Sequence, residues 1–291
     1  MNGQSAGNRE LKIYNQTGSI HEVAKQLDIP YGTAWSRLKK QGVVSKKKKP
    51  VYSTSLINDY FYNIDSSIKA YFLGFIKADG YVDKKRNRLA IRVQERDEII
   101  LKYFCDAVNL PVKRINKIVS NPNSRYYSEN RQDCVEVAIT NEIFVKPLMH
   151  VKTEEILKVI PEEFAYDFIR GYFDGDGGIY YTDIKKKKFS MSIMGSPKDN
   201  HVLEYIKHYF PFFYTYMDNR SDLPFIKSGS MGNILEFREK IYNNSYIYLP
   251  RKKQKFDYIK FLFEGSSTTI RGTSSEKDED IVSPNVKALV K

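Results

Sequence analysis

Two stretches of this chain repeat each other 97 residues apart, and each carries an acid to the end of an apolar helix. They are Ala70–Val82 (AYFLGFIKADGYV) and Asp167–Ile179 (DFIRGYFDGDGGI). Small residues stand four apart in both, Gly74 with Ala78 and Gly171 with Gly175, so that two such helices can bring their backbones unusually close. Each copy then ends Asp-Gly, and Gly80 or Gly177 suits the left-handed residue that closes a helix. An aspartate in the last turn faces the negative end of the helix dipole, which disfavours an anion unless a cation sits there. Asp79 and Asp176, meeting at the crossed ends of paired helices, would make a divalent-metal site.

The segments after the two copies repeat as well. After a short helical lead-in at Leu56–Tyr62, the first acid-ended helix spans Ser66 to Asp79 and a strand begins at Tyr81-Val82. Arg88–Gln94 then alternates with period two, Leu89, Ile91 and Val93 pointing one way and Arg88, Arg92 and Gln94 the other. A strand with an apolar underside and an Arg/Gln upper side suits a major groove, where Arg reads guanine and Gln adenine; Arg86 stands in the turn before it. The alternative for this strand is an ordinary solvated face. A helix at Asp97–Val108, strands at Lys113–Val119 and Cys134–Ile139, and a helix at Asn141–Met149 complete the first repeat, with a tyrosine-rich loop at Asn121–Asn130.

The second repeat has a helix from Pro161 to Asp176 and strands at Gly178–Thr182 and Phe189–Ile193. Between these strands a lysine run, 185–188, places Lys186 and Lys188 at a hairpin tip suited to a phosphate backbone. A helix Ser196–Phe210, strands Phe213–Met217 and Pro224–Ser228, a helix Met231–Tyr242 and a basic helix from Pro250 come next. The order helix, two strands, helix, two strands, helix thus occurs twice, and 97 residues fit one such unit.

The front of the chain is different. Residues 1–50 hold 10 Lys/Arg against 3 Asp/Glu, within a whole-chain net charge of +12, which points to a polyanionic partner. Ser19-Ile20-His21-Glu22 is a capping box that starts a helix with Ile20, Val23, Ala24 and Leu27 on one stripe. Pro30 opens a second helix with Ala34 and Leu38 buried, leaving Tyr31, Thr33, Ser36, Arg37, Lys39 and Lys40 outside, and Gly42 ends it. The pair reads as a helix-turn-helix, its second helix presenting Arg37, Lys39 and Lys40 to a duplex; the bland alternative is a small helical packing unit. Ser45–Ser55 is a basic linker whose Lys47 and Lys48 can track phosphates.

Other classes fit poorly. Cys105 and Cys134 have neither the number nor the spacing for a zinc cluster or disulfide framework. No apolar run is long enough for a bilayer and no leader pattern opens the sequence, so a cytoplasmic protein is expected, with no membrane partner. An EF-hand loop starting at Asp174 would want an acid at Gly178 and a glycine at Ile179.

Phe72–Gly80 (FLGFIKADG) and Ile169–Gly177 (IRGYFDGDG) resemble the two signature helices of a single-chain LAGLIDADG homing endonuclease, over about residues 56–264. The resemblance implies an α+β fold of two αββαββα half-domains in a pseudo-twofold saddle over DNA, here with a small all-α helix-turn-helix module in front. With the helix-turn-helix (9–44) and basic linker (45–55) read above, it sets half-domains at 56–160 and 161–264, and the Ser/Thr-rich, charge-mixed residues 265–291 are expected to be a disordered tail with a short helix at Val286–Val290. It implies Asp79 and Asp176 as metal ligands, with the adjoining Gly80 and Gly177, and Mg²⁺ as cofactor. Lys252 and Lys152 match the lysines that the family places near the attacking water. Gln94 or Glu95 in one half, and Gly195 in the other, fall where a water-holding side chain can stand, so the site is expected to be asymmetric. Lys77 departs from the motif, where the family usually has an acid.

The resulting expectation is a monomeric, metal-dependent, site-specific double-stranded DNA endonuclease of a mobile genetic element, bacterial, phage-encoded or organellar. Two alternatives stay open: a DNA-binding regulator that keeps the scaffold without cleavage, and an intron RNA maturase. The survival of both acids favours the nuclease over the first.

Overall fold

The structure, a computed structural model, describes residues 7–17, 19–43, 55–118, 133–150, 152–183, 188–196 and 200–268. Lys47, Lys48, Lys186, the loop Asn121–Asn130 and the helix expected at Val286–Val290 lie outside them. The chain forms two compact units, residues 1–54 and 55–291.

The first unit holds three helices, α1 (Gly7–Thr17), α2 (Ile20–Gln26) and α3 (Tyr31–Lys40). Ser19 caps α2 as expected, its hydroxyl accepting the Glu22 amide at 3.3 Å. Val23, Ala34 and Leu38 are fully buried, with Ile13 and Tyr14 of α1 packed against them. Sequence reading missed α1, whose polar anchor is distant: buried Glu10 accepts from Arg37 of α3 at 3.0 Å. Past α3, Gly42 takes a φ of 72°, the left-handed conformation that glycine adopts without strain.

The second unit is α+β and doubled. Its first half runs α4 (Ser67–Asp79), β1 (Gly80–Asp83), β2 (Arg88–Gln94), α5 (Glu98–Ala107), β3 (Asn116–Ile118), β4 (Cys134–Thr140), α6 (Glu142–His150) and α7 (Thr153–Lys158). Its second half runs α8 (Ala165–Asp176), β5 (Gly177–Asp183), β6 (Lys188–Met194), α9 (His201–Tyr209), β7 (Tyr214–Asp218), β8 (Leu223–Ser228), α10 (Met231–Tyr242) and α11 (Pro250–Thr268). The four-stranded antiparallel sheets have the same order, β1-β2-β4-β3 and β5-β6-β8-β7. The period-two pattern is realised: Leu89, Ile91 and Val93 are buried with Val135, Val137 and Ile139 beneath α5 and α6. In the other half Phe189, Met191, Ile193 and Ile226 lie in the core that includes Leu203, Ile206, Phe237 and Phe256. One continuous core joins the halves.

Several expectations are corrected. Leu56–Tyr62 forms turns and not a helix, held where Ile57 donates to the Val108 carbonyl and Tyr60 and Phe61 are buried. The strand expected from Lys113 starts only at Asn116, because Val112–Arg114 closes a 3-10 turn. Helix α7 was missed; it is short, and its burial rests on Ile156 and Leu157. Helix α11 continues to Thr268 and takes in the first residues assigned to the tail.

Gly80 and Gly177 are not left-handed: their φ values are −81° and −88°, and each is already the first residue of a strand. What they supply is room. A Cβ at Gly80 would lie 2.4 Å from the Ile76 carbonyl oxygen, and one at Gly177 would lie 2.2 Å from the Phe173 ring.

Candidate metal and nucleic-acid site

The site is made by α4 and α8 crossing with their backbones in contact. A Cβ on Gly74 would fall 2.1 Å from the Phe168 carbonyl oxygen, and one on Gly171 would fall 1.9 Å from that of Tyr71. Farther along, a Cβ on Gly175 would lie 2.4 Å from the Ala78 methyl and 3.3 Å from Asp79 Oδ2. All four small residues therefore stand in the crossing, and the side chain of Asp79 is brought against the last turn of the opposite helix. Fastening at the other end comes from Ser67, which donates to Asp167 at 2.7 Å.

Asp79 reaches solvent and Asp176 is half-buried. Burial, and then the charge of Asp79, push the Asp176 carboxyl up to about 7. Asp79 is raised too, by burial, with Asp97 adding to the rise, against the attraction of Lys252 and Arg251. The shift of Asp176 reflects a half-buried carboxyl with a second carboxylate close by, an arrangement that a cation relieves.

The dipole objection to an acid at a helix end is answered by Lys252. It is buried at 5% exposure, and its ammonium donates to the carbonyls of Phe173, Asp174 and Gly175 at 2.7, 2.6 and 3.0 Å. These carbonyls belong to the last turn of α8, where that of Phe173 also accepts from the Gly177 amide and those of Asp174 and Gly175 lie beyond the reach of helical donors. Burial pushes Lys252 down to about 8, against the pull of Asp174, Asp79 and Asp176. Lys252 is thus neither a solvated surface residue nor a free phosphate ligand in this structure.

Lys152 is placed differently. It is exposed at the start of α7, where its backbone amide donates to Glu155 at 3.3 Å. Lys77, the counterpart of Asp174 in the first copy, donates to Thr153 Oγ1 at 3.2 Å.

Sequence reading did not single out the network that seats Lys252. Asp174 is fully buried and accepts from Tyr71 Oη, Tyr242 Oη and the Leu249 amide, each at 2.8 Å. Burial holds its pKa above the ordinary carboxylate value although Lys252 and these donors oppose the rise. One carboxylate therefore ties α4, α10 and the start of α11 to α8. Asp97 and Arg251 add a two-pronged ion pair between the halves, Nε to Oδ1 at 2.8 Å and Nη2 to Oδ2 at 2.9 Å. The available signal for Asp174 was its spacing three residues past Gly171, which puts it on the buried face of α8.

The open faces of the two sheets flank the carboxylates, because β1 and β5 begin at the residues after Asp79 and Asp176. On β2, Arg88 and Arg92 both point to Glu136 of β4, each with an Nη2–O distance of 2.8 Å. Gln94 ends that row with its amide oxygen buried and unpartnered. Arg86 is exposed in the β1–β2 turn, 3.8 Å from Asp83. Lys188 is exposed at the start of β6. Gly195, beyond β6, donates its amide to the Pro224 carbonyl at 2.8 Å.

In the N-terminal unit Lys39 and Lys40 are exposed, Lys39 lying 5.0 Å over the Trp35 ring, while Arg37 is held by Glu10.

Among the described residues no cluster of three or more His, Cys, Asp or Glu side chains occurs, and no helix is long and apolar enough to cross a membrane. A donor set of two carboxylates matches a hard, oxygen-preferring cation such as Mg²⁺ better than a soft-ligand metal.

Neither a family model nor a curated protein sequence matches the chain. Solved structures that resemble it include the I-LtrWI LAGLIDADG homing endonuclease bound to target DNA, at 12% identity and a TM-score of 0.49, covering 77% of this chain and 95% of that one. The LAGLIDADG homing endonuclease I-GzeII in complex with a DNA target gives 13% identity and a TM-score of 0.47, over 70% and 92% of the two chains. I-SmaMI bound to uncleaved DNA target in the presence of calcium ions gives 12% and 0.47, over 76% and 97%.

Proposed function

We propose that this chain is a divalent-metal-dependent, site-specific double-stranded DNA endonuclease, working as a monomer whose two halves stand in for two subunits. The observation that carries this reading is the α4–α8 crossing, which brings Asp79 against the last turn of α8, where its charge raises the proton affinity of Asp176, at the centre of a doubled, basic fold. Two structural acids at solvated helix ends would need no such approach, and no buried lysine beside them.

Asp79 and Asp176 would hold the metal, and Mg²⁺ is the ion that suits them. A bound ion of this kind supplies charge neutralisation on phosphate oxygens and a more acidic water. The remaining work belongs to the chain. Gly74, Gly171, Gly175 and Ala78 set the distance between the carboxylates. Lys252 neutralises the carbonyl end of α8, and Asp174 with Tyr71 and Tyr242 keeps it there. Lys252 lies too deep to act as a general base without leaving its carbonyls, so its role in this reading is to position Asp176. Lys152 and Lys77 would meet phosphate at the edge of the site, Lys77 exchanging its bond to Thr153 for one to the backbone of the duplex. The open sheet faces, with Arg86, Arg88, Arg92, Gln94 and Lys188, would lie along the duplex, and the N-terminal helices with Lys39 and Lys40 would lengthen the contact.

The test is cleavage of a duplex made by joining the two flanks of the gene, with Mg²⁺ present. A double-strand break near the junction is the expected product. An uncut junction, with the protein demonstrably bound to it and Mg²⁺ saturating, would leave the DNA-binding regulator as the better reading.

A further inference from the structure

The faces that the two sheets turn away from the core share an exposed tyrosine, Tyr81 on β1 and Tyr180 on β5, and differ in the side chains around it. In the first, the register Arg88↔Thr140, Ala90↔Ala138 and Arg92↔Glu136 sets both arginines and Glu136 on the open face. Glu136 lies between the two guanidiniums and binds both, accepting from Arg92 through Nε at 3.2 Å and Nη2 at 2.8 Å and from Arg88 at 2.8 Å. The row is thus donor, acceptor, donor, fixed before any partner arrives. A phosphate offers acceptors alone and leaves Glu136 facing an anion. Adjacent G·C pairs in the major groove offer both kinds of group, guanine N7 and O6 as acceptors for the arginines and cytosine N4–H₂ as a donor to Glu136.

The second sheet is built otherwise. Its register puts Tyr180 opposite Ser190, Met194 opposite Phe225, and Tyr216 opposite Phe225 from the far side. Tyr180 and Tyr214 are 57% and 69% exposed, and Tyr216 stacks on Phe225 with centroids 5.5 Å apart. No arginine stands on β5–β8, where the described cations are Lys188 and Lys227. Several aromatic rings grouped on one sheet face, Tyr180, Tyr214, Tyr216 and Phe225, form a surface that gains from apolar contact. On a DNA duplex the apolar feature of the major groove is the thymine C5-methyl group. With few charges of its own, this sheet selects by such contacts and by groove shape, not by forked hydrogen bonds.

We infer that the chain reads two half-sites of different base chemistry: one bearing G·C pairs, read by Arg88, Glu136 and Arg92, and one rich in A·T pairs, read through thymine methyl groups by Tyr180, Tyr214, Tyr216 and Phe225. The inference rests on the DNA-binding reading above. The occupant is duplex DNA, because both faces grow directly from the residues after the paired acids and the chain carries a net charge of +12.

The experiment is selection of duplexes from a random library by the full-length protein in metal-free buffer, followed by binding measurements on the enriched sequence. One half should be enriched in G·C and the other in A·T. Replacing thymine by uracil in the A·T half removes only the methyl groups and should weaken binding about three- to fourfold for each methyl contacted. The same exchange in the G·C half should leave affinity unchanged. Arg92→Ala should relax selection in the G·C half alone, and Phe225→Ala in the A·T half alone. Equal base composition in the two halves, an indifferent uracil exchange in the A·T half, or Arg92→Ala relaxing that half would overturn the inference while leaving sequence-specific binding intact. Recovery of unenriched sequence would instead overturn the DNA reading itself.

Discussion

Exchanging the small residues at the helix crossing probes the geometry on which the site depends. Gly175→Ala places a methyl group 2.4 Å from the Ala78 methyl. Ordinary carbon contact needs about 3.5–4.0 Å, so the helix ends must part by roughly 1–1.5 Å, at a cost of about 1–3 kcal/mol. Ala78→Gly alone costs about 1 kcal/mol in helix propensity. The swap Ala78→Gly with Gly175→Ala keeps one methyl in the crossing and removes the clash, leaving the 3.3 Å approach to Asp79 Oδ2, a side-chain atom that can yield. The double variant should therefore come within about 1 kcal/mol of the parent, with a coupling of about −1 to −3 kcal/mol between the two changes. Urea unfolding followed by far-ultraviolet circular dichroism measures this. Trp35 is the sole tryptophan and belongs to the unit 1–54, so its fluorescence is the internal control for that unit. Additivity of the two substitutions within about 0.5 kcal/mol would refute the close crossing.

Other outcomes rest on the same structure. Asp176 has a folded pKa of about 7 against an ordinary 3.8, so the folded state holds its proton more tightly. Metal-free stability should then fall as pH rises from about 4 to 7, by about 2 kcal/mol once partial exposure reduces the full shift, and Asp176→Asn should flatten that slope. Millimolar Mg²⁺ at neutral pH should raise the melting temperature of the parent and not of Asp176→Asn. Tyr242→Phe removes one of three donors to buried Asp174 and should cost about 1–3 kcal/mol, read by urea unfolding. Removing residues 1–54 should weaken DNA affinity and reduce the slope of log K against log salt by about 0.9 for each phosphate that the shortened chain no longer engages, leaving the cleavage rate of bound DNA unchanged.

Much of this could be read from the residues because it rests on local pattern. The 97-residue repeat, the alternation of Arg88–Gln94 and the small residues of the two helices each express a constraint within a few neighbouring positions, and the strands and the crossing appear where those positions lie. Glycine was the less direct signal. Gly80 and Gly177 look like helix-closing residues, yet the strands begin at once and the missing Cβ serves close packing on Ile76 and Phe173. What escaped is long-range. Glu10 with Arg37, Asp97 with Arg251 and Asp174 with Tyr71 and Tyr242 are partners 27, 154, 103 and 68 residues apart. No period in the sequence announces such pairs. Lys252 is the clearest case: resemblance placed it near the chemistry, whereas its burial on three carbonyls depends on how α11 docks on the end of α8.

The central claim is that Asp79 and Asp176 form one site. Single-turnover cleavage of the selected duplex by the parent, Asp79→Asn, Asp176→Asn and the double variant, all saturated with DNA and Mg²⁺, tests it most directly. Each single substitution should reduce the rate about as far as the double, by roughly a thousandfold or more, because residues acting as a unit lose function together. Parental cleavage by either single variant, or losses that simply multiply in the double, would contradict a shared site.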